Sequence, residues 1–147
     1  PVLYELGLPA AVEWLAEHLE RKHGVKISAK TARGFPALPQ VARVMLWKSI
    51  GELLTNAIKH AQASRIRVEL ERAGSMVLVK VQDDGRGFDP VAAERRAADP
   101  IDGTFGLFSV RERVRHLGGD VEIDSRPGAG TRVLLRAPIG SDGKGER

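Results

Sequence analysis

The chain has no cysteine in its 147 residues. Disulfide frameworks, thiolate zinc sites and cysteine nucleophiles are therefore excluded, and the composition fits a reducing compartment. Aromatic residues are scarce, with two Trp, one Tyr and four Phe, which leaves no stacking platform for single-stranded nucleic acid. Apolar runs are short, Val77-Leu78-Val79 being typical, so no stretch is long enough to span a bilayer. No run of five like charges occurs. The 23 Lys+Arg are interleaved with 19 Asp+Glu, as in Arg111-Glu112-Arg113, and a net charge of +4 spread this way reads as a solvated surface rather than a nucleic-acid footprint. Four common catalytic signatures are also missing: G-x-x-x-x-G-K-[ST], G-x-G-x-x-G after a strand, H-E-x-x-H and G-x-S-x-G. Their absence disfavours P-loop and Rossmann nucleotide folds, zinc proteases and the usual serine hydrolases.

The remaining composition is that of an ordinary soluble domain, 42% hydrophobic and 29% charged. A chain of this length buries roughly two-thirds of its unfolded surface, enough for a core without staples. One domain over residues 1–139 with a polar tail over 140–147 is the expected organisation. The chain opens at Pro1 with neither an initiator methionine nor a signal peptide, and reads as a segment of a longer protein.

Periodicity orders the elements. Val12, Leu15, Ala16 and Leu19 recur at helical spacing between Pro9 and His23, and Gly24 stops that helix. A short strand begins at Val25-Lys26-Ile27-Ser28, and a loop rich in Gly and Pro covers 31–39. A long helix is predicted over 40–61, with Val44, Ile50, Leu53, Leu54, Ala57 and Ala61 along one side. Alternation at Ile66, Val68, Leu70 and at Val77, Val79, Val81 predicts two strands joined by the hairpin Ala73-Gly74-Ser75. Residues 83–105 lack periodicity, and a loop that long inside a compact domain is usually functional. A helix over 107–117 ended by Gly118-Gly119, then strands over 120–125 and 131–137, complete the chain. Mixed helices and hairpin-joined strands imply an α/β (α+β) two-layer sandwich: a mixed, mostly antiparallel sheet with about three helices on one face.

Chemistry-bearing residues concentrate in four places. On the long helix, Glu52, Asn56, Lys59 and His60 fall within an arc of about 100°, where oxygen and nitrogen groups could meet a metal or phosphates; alone, such a stripe is more often just solvated. Asp83-Asp84-Gly85-Arg86-Gly87 follows a strand, pairing a carboxylate with two glycines that allow close backbone approach. Gly103-Thr104-Phe105-Gly106-Leu107 opens a helix, whose free amides can receive an anion. Gly128-Ala129-Gly130-Thr131 separately reads as a hairpin turn.

Taken in order, these segments resemble the N, G1, G2 and G3 boxes of the GHKL ATPase superfamily, which has the Bergerat ATP-binding fold. The resemblance covers residues 40–137, and more loosely from 6, with Asp83 lying 27 residues after Asn56 and Gly106 another 23 beyond. Asn56-Ala57-Ile58-Lys59-His60-Ala61, and the stretch from Phe105 through Arg111-Glu112-Arg113-Val114 to Leu117-Gly118-Gly119, are similar to one branch in particular. That branch comprises sensor histidine kinases related to nitrate, cell-envelope and membrane-fluidity sensors.

The resemblance implies ATP and Mg²⁺ as ligands. It makes Asn56 the Mg²⁺ ligand and Glu52 the acid beside it, orienting a metal-bound water or tuning phosphoryl acceptance; Lys59 and His60 then face the phosphates. Asp83 accepts from the adenine amine, Gly85 and Gly87 pass close to the base, Gly106 and Leu107 bring helix-start amides to the phosphates, and Gly128, Gly130 and Thr131 close the adenine side. Residues 89–102 correspond to the ATP lid, with Arg95 and Arg96 inside it; Thr104 stands where the family often has glycine. The implied reaction is transfer of the γ-phosphoryl group to a histidine on a dimerisation domain, with a DNA-binding response regulator downstream. His18, His23, His60 and His116 are followed by Leu19, Gly24, Ala61 and Leu117, so no H-D acceptor motif is present. The implied picture is a cytoplasmic, monomeric catalytic domain, whose full-length kinase could be membrane-anchored. A nucleotide-binding switch module and a serine kinase of the anti-sigma type are the rival readings.

Overall fold

A computed structural model of the chain describes residues 2–91 and 105–140. The predicted lid from residue 92 onward, including Arg95 and Arg96, lies outside the described residues, as do Gly103, Thr104 and the tail from 141. The described elements run α1 (Val2–Leu6), α2 (Leu8–His23), β1 (Lys26–Thr31), α3 (Gln40–Thr55), a π-turn (Asn56–His60), β2 (Arg65–Ala73), β3 (Met76–Asp83), α4 (Phe105–His116), β4 (Asp120–Ser125) and β5 (Thr131–Pro138).

The five strands form one sheet in the order β1-β2-β3-β5-β4. β1 and β2 are parallel and every other pair is antiparallel. That single parallel pair is joined through α3, as a parallel crossover demands, whereas β2 and β3 close through Gly74-Ser75 with Gly74 at φ +63°. The predicted mixed, mostly antiparallel sheet is what folds. Four helices are described rather than about three, because Val2–Leu6 forms a short extra one ahead of α2.

Period-2 alternation sends Ile66, Val68, Leu70, Val77, Val79, Val81, Val133, Leu135 and Ala137 to one buried face. Register lines these up across strands: Val68 with Val81 and then Val133, Leu70 with Val79 and then Leu135. The helices cover this face. α3 packs between α2 and α4, α2 lies on β1 and α4 on β4. Leu46, Ile50 and Leu54 of α3 and Val110 and Val114 of α4 are fully buried. The other face carries an ion-pair ladder, including Arg136 to Asp120 at 2.9 Å and to Glu122 at 2.7 Å.

The helix predicted over 40–61 changes character at its end. From Asn56 the bonding widens to π spacing, the Ala61 N–H donating to the Asn56 carbonyl at 3.0 Å, and past the turn the Ala63 N–H reaches back six residues to the Ala57 carbonyl at 3.0 Å. Hydropathy periodicity cannot register one such widened turn, which inserts a residue into the helix and is often found at functional sites. Gln62, at φ +53°, then reverses the chain into β2. α4 ends as predicted, with the Gly118 and Gly119 N–H groups donating to the Arg115 and Val114 carbonyls at 2.9 and 3.0 Å.

Candidate active site

The inward alternation of β3 does not stop with the core. After Val77, Val79 and Val81 the next inward position is Asp83, paired with Thr131 of β5, which is paired in turn with Ser125 of β4. One end of an apolar face is thus tiled with a carboxylate and two hydroxyls. Burial there pushes the Asp83 carboxyl above the usual aspartate range. The Gly85 N–H, donating to its Oδ1 at 2.7 Å, pulls it back, the neighbouring Asp84 charge raises it further, and the Thr131 backbone N–H lowers it.

Asp84 points elsewhere. It is exposed and accepts from the Ser64 N–H and Oγ–H at 2.8 Å each and from the Arg65 N–H at 3.0 Å, which hold it below the usual range. Its work is to pin the start of β2 to the end of β3. The two adjacent aspartates are thereby separated in role by strand alternation alone.

Beyond β3 the chain folds back against the π-turn. The Arg86 N–H donates to the Ala61 carbonyl at 2.9 Å and its Nε to the His60 carbonyl at 2.9 Å. Gly85 is buried in this crossing. A Cβ there would lie 2.5 Å from the Ala61 carbonyl oxygen and 2.6 Å from the Ala61 Cβ, so only glycine fits. Gly87, at φ +66°, faces the Arg126 carbonyl with no room for a side chain either. The Arg86 carbonyl accepts from the Gly128 N–H, which joins this loop to the β4–β5 turn.

Ser125 ties the corner together, and nothing in the sequence reading singled it out. Its buried Oγ accepts from the Phe88 N–H at 2.9 Å, donates to the Gly130 carbonyl at 3.0 Å and lies 2.8 Å from the Thr131 Oγ. With Thr131 as donor in that last contact, both lone pairs and the one proton of Ser125 are used. An Ser125→Ala variant should lose about 1–2 kcal/mol of unfolding free energy, read from the midpoint of urea denaturation. A midpoint equal to that of the parent would show that the corner holds without it. About 200 Å³ of open polar space adjoins this corner, lined by Gln82, Asp124 and Arg132, which alternate onto the sheet's other face, as well as by Asp83, Ser125 and Thr131.

The second half of the site lies where α3 meets α4. Gly106, in the first turn of α4, packs on the Asn56 side chain so closely that a Cβ would stand 3.0 Å from its Nδ2 and 3.2 Å from its Oδ1. The segments predicted from 56 and 106 are therefore in contact, and the amide oxygen sits beside a helix start whose N–H groups lack intrahelical partners. Leu107 is half-buried against the core. Glu52, one helical turn before Asn56, accepts at its Oε1 from the Arg113 Nη1 of α4. Lys59 and His60 are both exposed, and His60 joins the site's framework through its carbonyl. Gly128 occupies an open turn at φ +81°. Among the described residues no three His, Asp or Glu cluster in a way that could hold a metal unaided.

Comparison with known proteins agrees with this arrangement. Residues 42–141 match the family described as histidine kinase-, DNA gyrase B-, and HSP90-like ATPase. An uncharacterised sensor-like histidine kinase of Chloroflexus aurantiacus is 48% identical over 101 residues, covering 65% of this chain and 16% of that protein. DegS, a signal transduction histidine-protein kinase/phosphatase of Brevibacillus brevis, is 29% identical over 93% of this chain and 34% of its own length. The oxygen sensor histidine kinase NreB of Staphylococcus carnosus is 31% identical over 93% of this chain and 38% of its own. The chain thus spans well under half of these relatives. Among solved structures, the histidine kinase domain of the Erythrobacter litoralis blue-light activated histidine kinase superposes with a TM-score of 0.69 at 26% identity, covering 90% of this chain and 61% of that one. The catalytic domain of histidine kinase ThkA shares the fold, with a TM-score of 0.71 at 22% identity and 90% of each chain covered. With the family pattern matched over residues 42–141 and the sheet, helices and polar corner in place, the chain belongs to the histidine kinase-, DNA gyrase B- and HSP90-like ATPases.

Proposed function

We propose that this chain binds Mg·ATP in the space between Asp83 and the α3–α4 seam, and passes the γ-phosphoryl group to a histidine on a separate dimerisation domain. The observation that carries this reading is the contact of Asn56 with Gly106, which sets an oxygen ligand against a helix start. In such phosphoryl transfer, catalysis is positioning and charge neutralisation more than covalent chemistry.

The residues present fit Mg²⁺. One neutral amide oxygen is a hard ligand, and this ion keeps waters and substrate oxygens for most of its shell, so a lone protein ligand suffices where no carboxylate cluster exists among the described residues. Bound there, Mg²⁺ would neutralise developing charge on the phosphates. Asn56 would hold it, Glu52 would orient a metal-bound water, and the first-turn amides at Gly106 and Leu107 would receive phosphate oxygens. Lys59 and His60, exposed at the end of the π-turn, are free to swing toward the triphosphate. Asp83 accepts the adenine amine, Gly85 and Gly87 let the backbone lie against the base, and Gly128, Gly130 and Thr131 complete that side.

The partners proposed rest on the likeness to sensor histidine kinases: a dimerisation domain bearing the histidine, and a response regulator of DNA-binding type, with the isolated chain monomeric. No helix among the described residues is long and apolar enough to cross a membrane. The cytoplasmic place proposed for the domain rests separately on its likeness to sensor histidine kinases. Titration of the chain with ATP and ADP, with and without Mg²⁺, tests the reading directly. Metal-dependent tightening for ATP is the expected result, and no nucleotide binding at all would overturn it. A nucleotide switch without transfer would bind equally well but leave no phosphohistidine when the dimerisation domain is supplied.

A further inference from the structure

Besides the contact of Gly106 with Asn56 in the π-turn, α4 is tied to α3 itself. Seven residues after Gly106, the Arg113 Nη1 bonds the Glu52 Oε1. The two residues are sixty-one positions apart in sequence, with their side chains 25% and 35% exposed, so the pair is partly shielded from solvent. Glu52 is the only carboxylate on α3, and it stands one turn before Asn56 on the same stripe.

A carboxylate one helical turn from the proposed Mg²⁺ ligand has an alternative chemistry open to it. A water oxygen can bond to the γ-phosphorus while the bond from that phosphorus to the β–γ bridging oxygen breaks. ADP then leaves with the electron pair, and the water's proton goes to the carboxylate and on to solvent. For a domain whose phosphoryl group is meant for a protein nitrogen, this is loss of substrate. One of the two carboxylate oxygens, Oε1, already accepts a hydrogen bond from the Arg113 guanidinium, which fixes the direction of the carboxylate and has no proton-accepting capacity of its own.

We infer that Arg113 is a positioning residue that holds Glu52 out of service as a base for water, and so keeps ATP hydrolysis slow while the phosphoryl group awaits its histidine. This rests on the Mg·ATP reading of the site. A plain mechanical brace between α3 and α4 makes the opposite prediction. Its loss would loosen the Asn56–Gly106 contact, raising KM and lowering turnover.

Phosphate release from Mg·ATP by the chain separates the two. Arg113→Met, which keeps the aliphatic length and removes the donors, should raise turnover roughly a hundredfold with KM unchanged, the lower end of what a freed general base supplies. Arg113→Lys should stay near the parent, since an ammonium can take the guanidinium's place. Adding Glu52→Gln to Arg113→Met should remove the gain, bringing turnover well below that of Arg113→Met alone. Should Arg113→Met fail to fold, Arg113→Gln carries the same expectation. A folded, ATP-binding variant whose turnover does not rise overturns the inference alone, whereas a parent chain that does not bind Mg·ATP overturns the reading beneath it.

Discussion

An Asp83→Asn variant should bind ATP and ADP about thirty- to a hundredfold more weakly than the parent, a loss of about 2–3 kcal/mol. The change is nearly isosteric, and the asparagine oxygen can still accept from the Gly85 N–H that now bonds Asp83 Oδ1 at 2.7 Å. What is lost is the second oxygen. An amide presents N–H₂ there, and a donor facing the adenine amine, itself a donor, leaves both unsatisfied in a half-buried corner. Calorimetric titration with ADP measures the loss without interference from turnover, and unchanged affinity would remove Asp83 from the adenine role.

The same residue predicts a pH dependence. Burial raises the Asp83 carboxyl above its ordinary 3.8 in the folded chain, so it takes up a proton earlier on acidification than an exposed aspartate would. Adenine binding should therefore fall as the pH drops through that raised value. The step is read as the difference between parent and Asp83→Asn, because the nucleotide's own phosphates titrate alike against both. The linkage to folding runs the other way. A raised carboxyl favours the folded state at low pH, and that contribution is lost as the pH rises through the folded value. Asp83→Asn should consequently be no less stable than the parent at neutral pH, which separates lost binding from lost folding.

How much of this was readable beforehand differs by the kind of physics involved. Strand alternation is local, so Ile66–Leu70 and Val77–Val81 follow from the sequence and the sheet carries them as expected, whereas Asp83, read as following the strand, proves to be its last inward position. The glycines at 85 and 87 were readable as turn residues. That they are there because the Ala61 and Arg126 carbonyls leave no room is a tertiary fact. The π-turn was invisible, since the apolar side of the helix continues through Leu54 and Ala57 whether the bond spans four residues or five. Ser125 could have been found by extending the β4 alternation one place past Ile123 and asking which group meets Thr131 across the ladder. The Glu52–Arg113 pair had no local signal, because sixty-one residues and a loop separate the partners. Pairings that depend on two helices meeting are set by the fold's packing, and only the family resemblance hinted that the two segments belong to one site.

Asn56 is where that packing bears most directly on function. Asn56→Ala should abolish the tightening of ATP binding by Mg²⁺ and cost about ten- to a hundredfold in affinity when the metal is present, the scale on which metal sites respond even to indirect perturbation. The cause is specific to the arrangement. Glu52, the nearest carboxylate on α3, is engaged by Arg113, and the described residues offer no His, Asp or Glu cluster to take over. Loss of the single amide oxygen thus leaves the ion with nucleotide and water alone. ATP affinity without Mg²⁺ should change little, because the adenine corner at Asp83 and the helix-start amides of α4 are untouched. Gly106 packs on the Asn56 side chain, so truncation also opens a gap there. Asn56→Asp controls for that gap by restoring the shape and offering a charged oxygen, and should recover metal-dependent binding. Metal-dependent tightening that survives in Asn56→Ala would mean that the ion is held elsewhere. A parallel fall of affinity with and without metal would assign Asn56 to shaping the phosphate cradle rather than to ligating Mg²⁺.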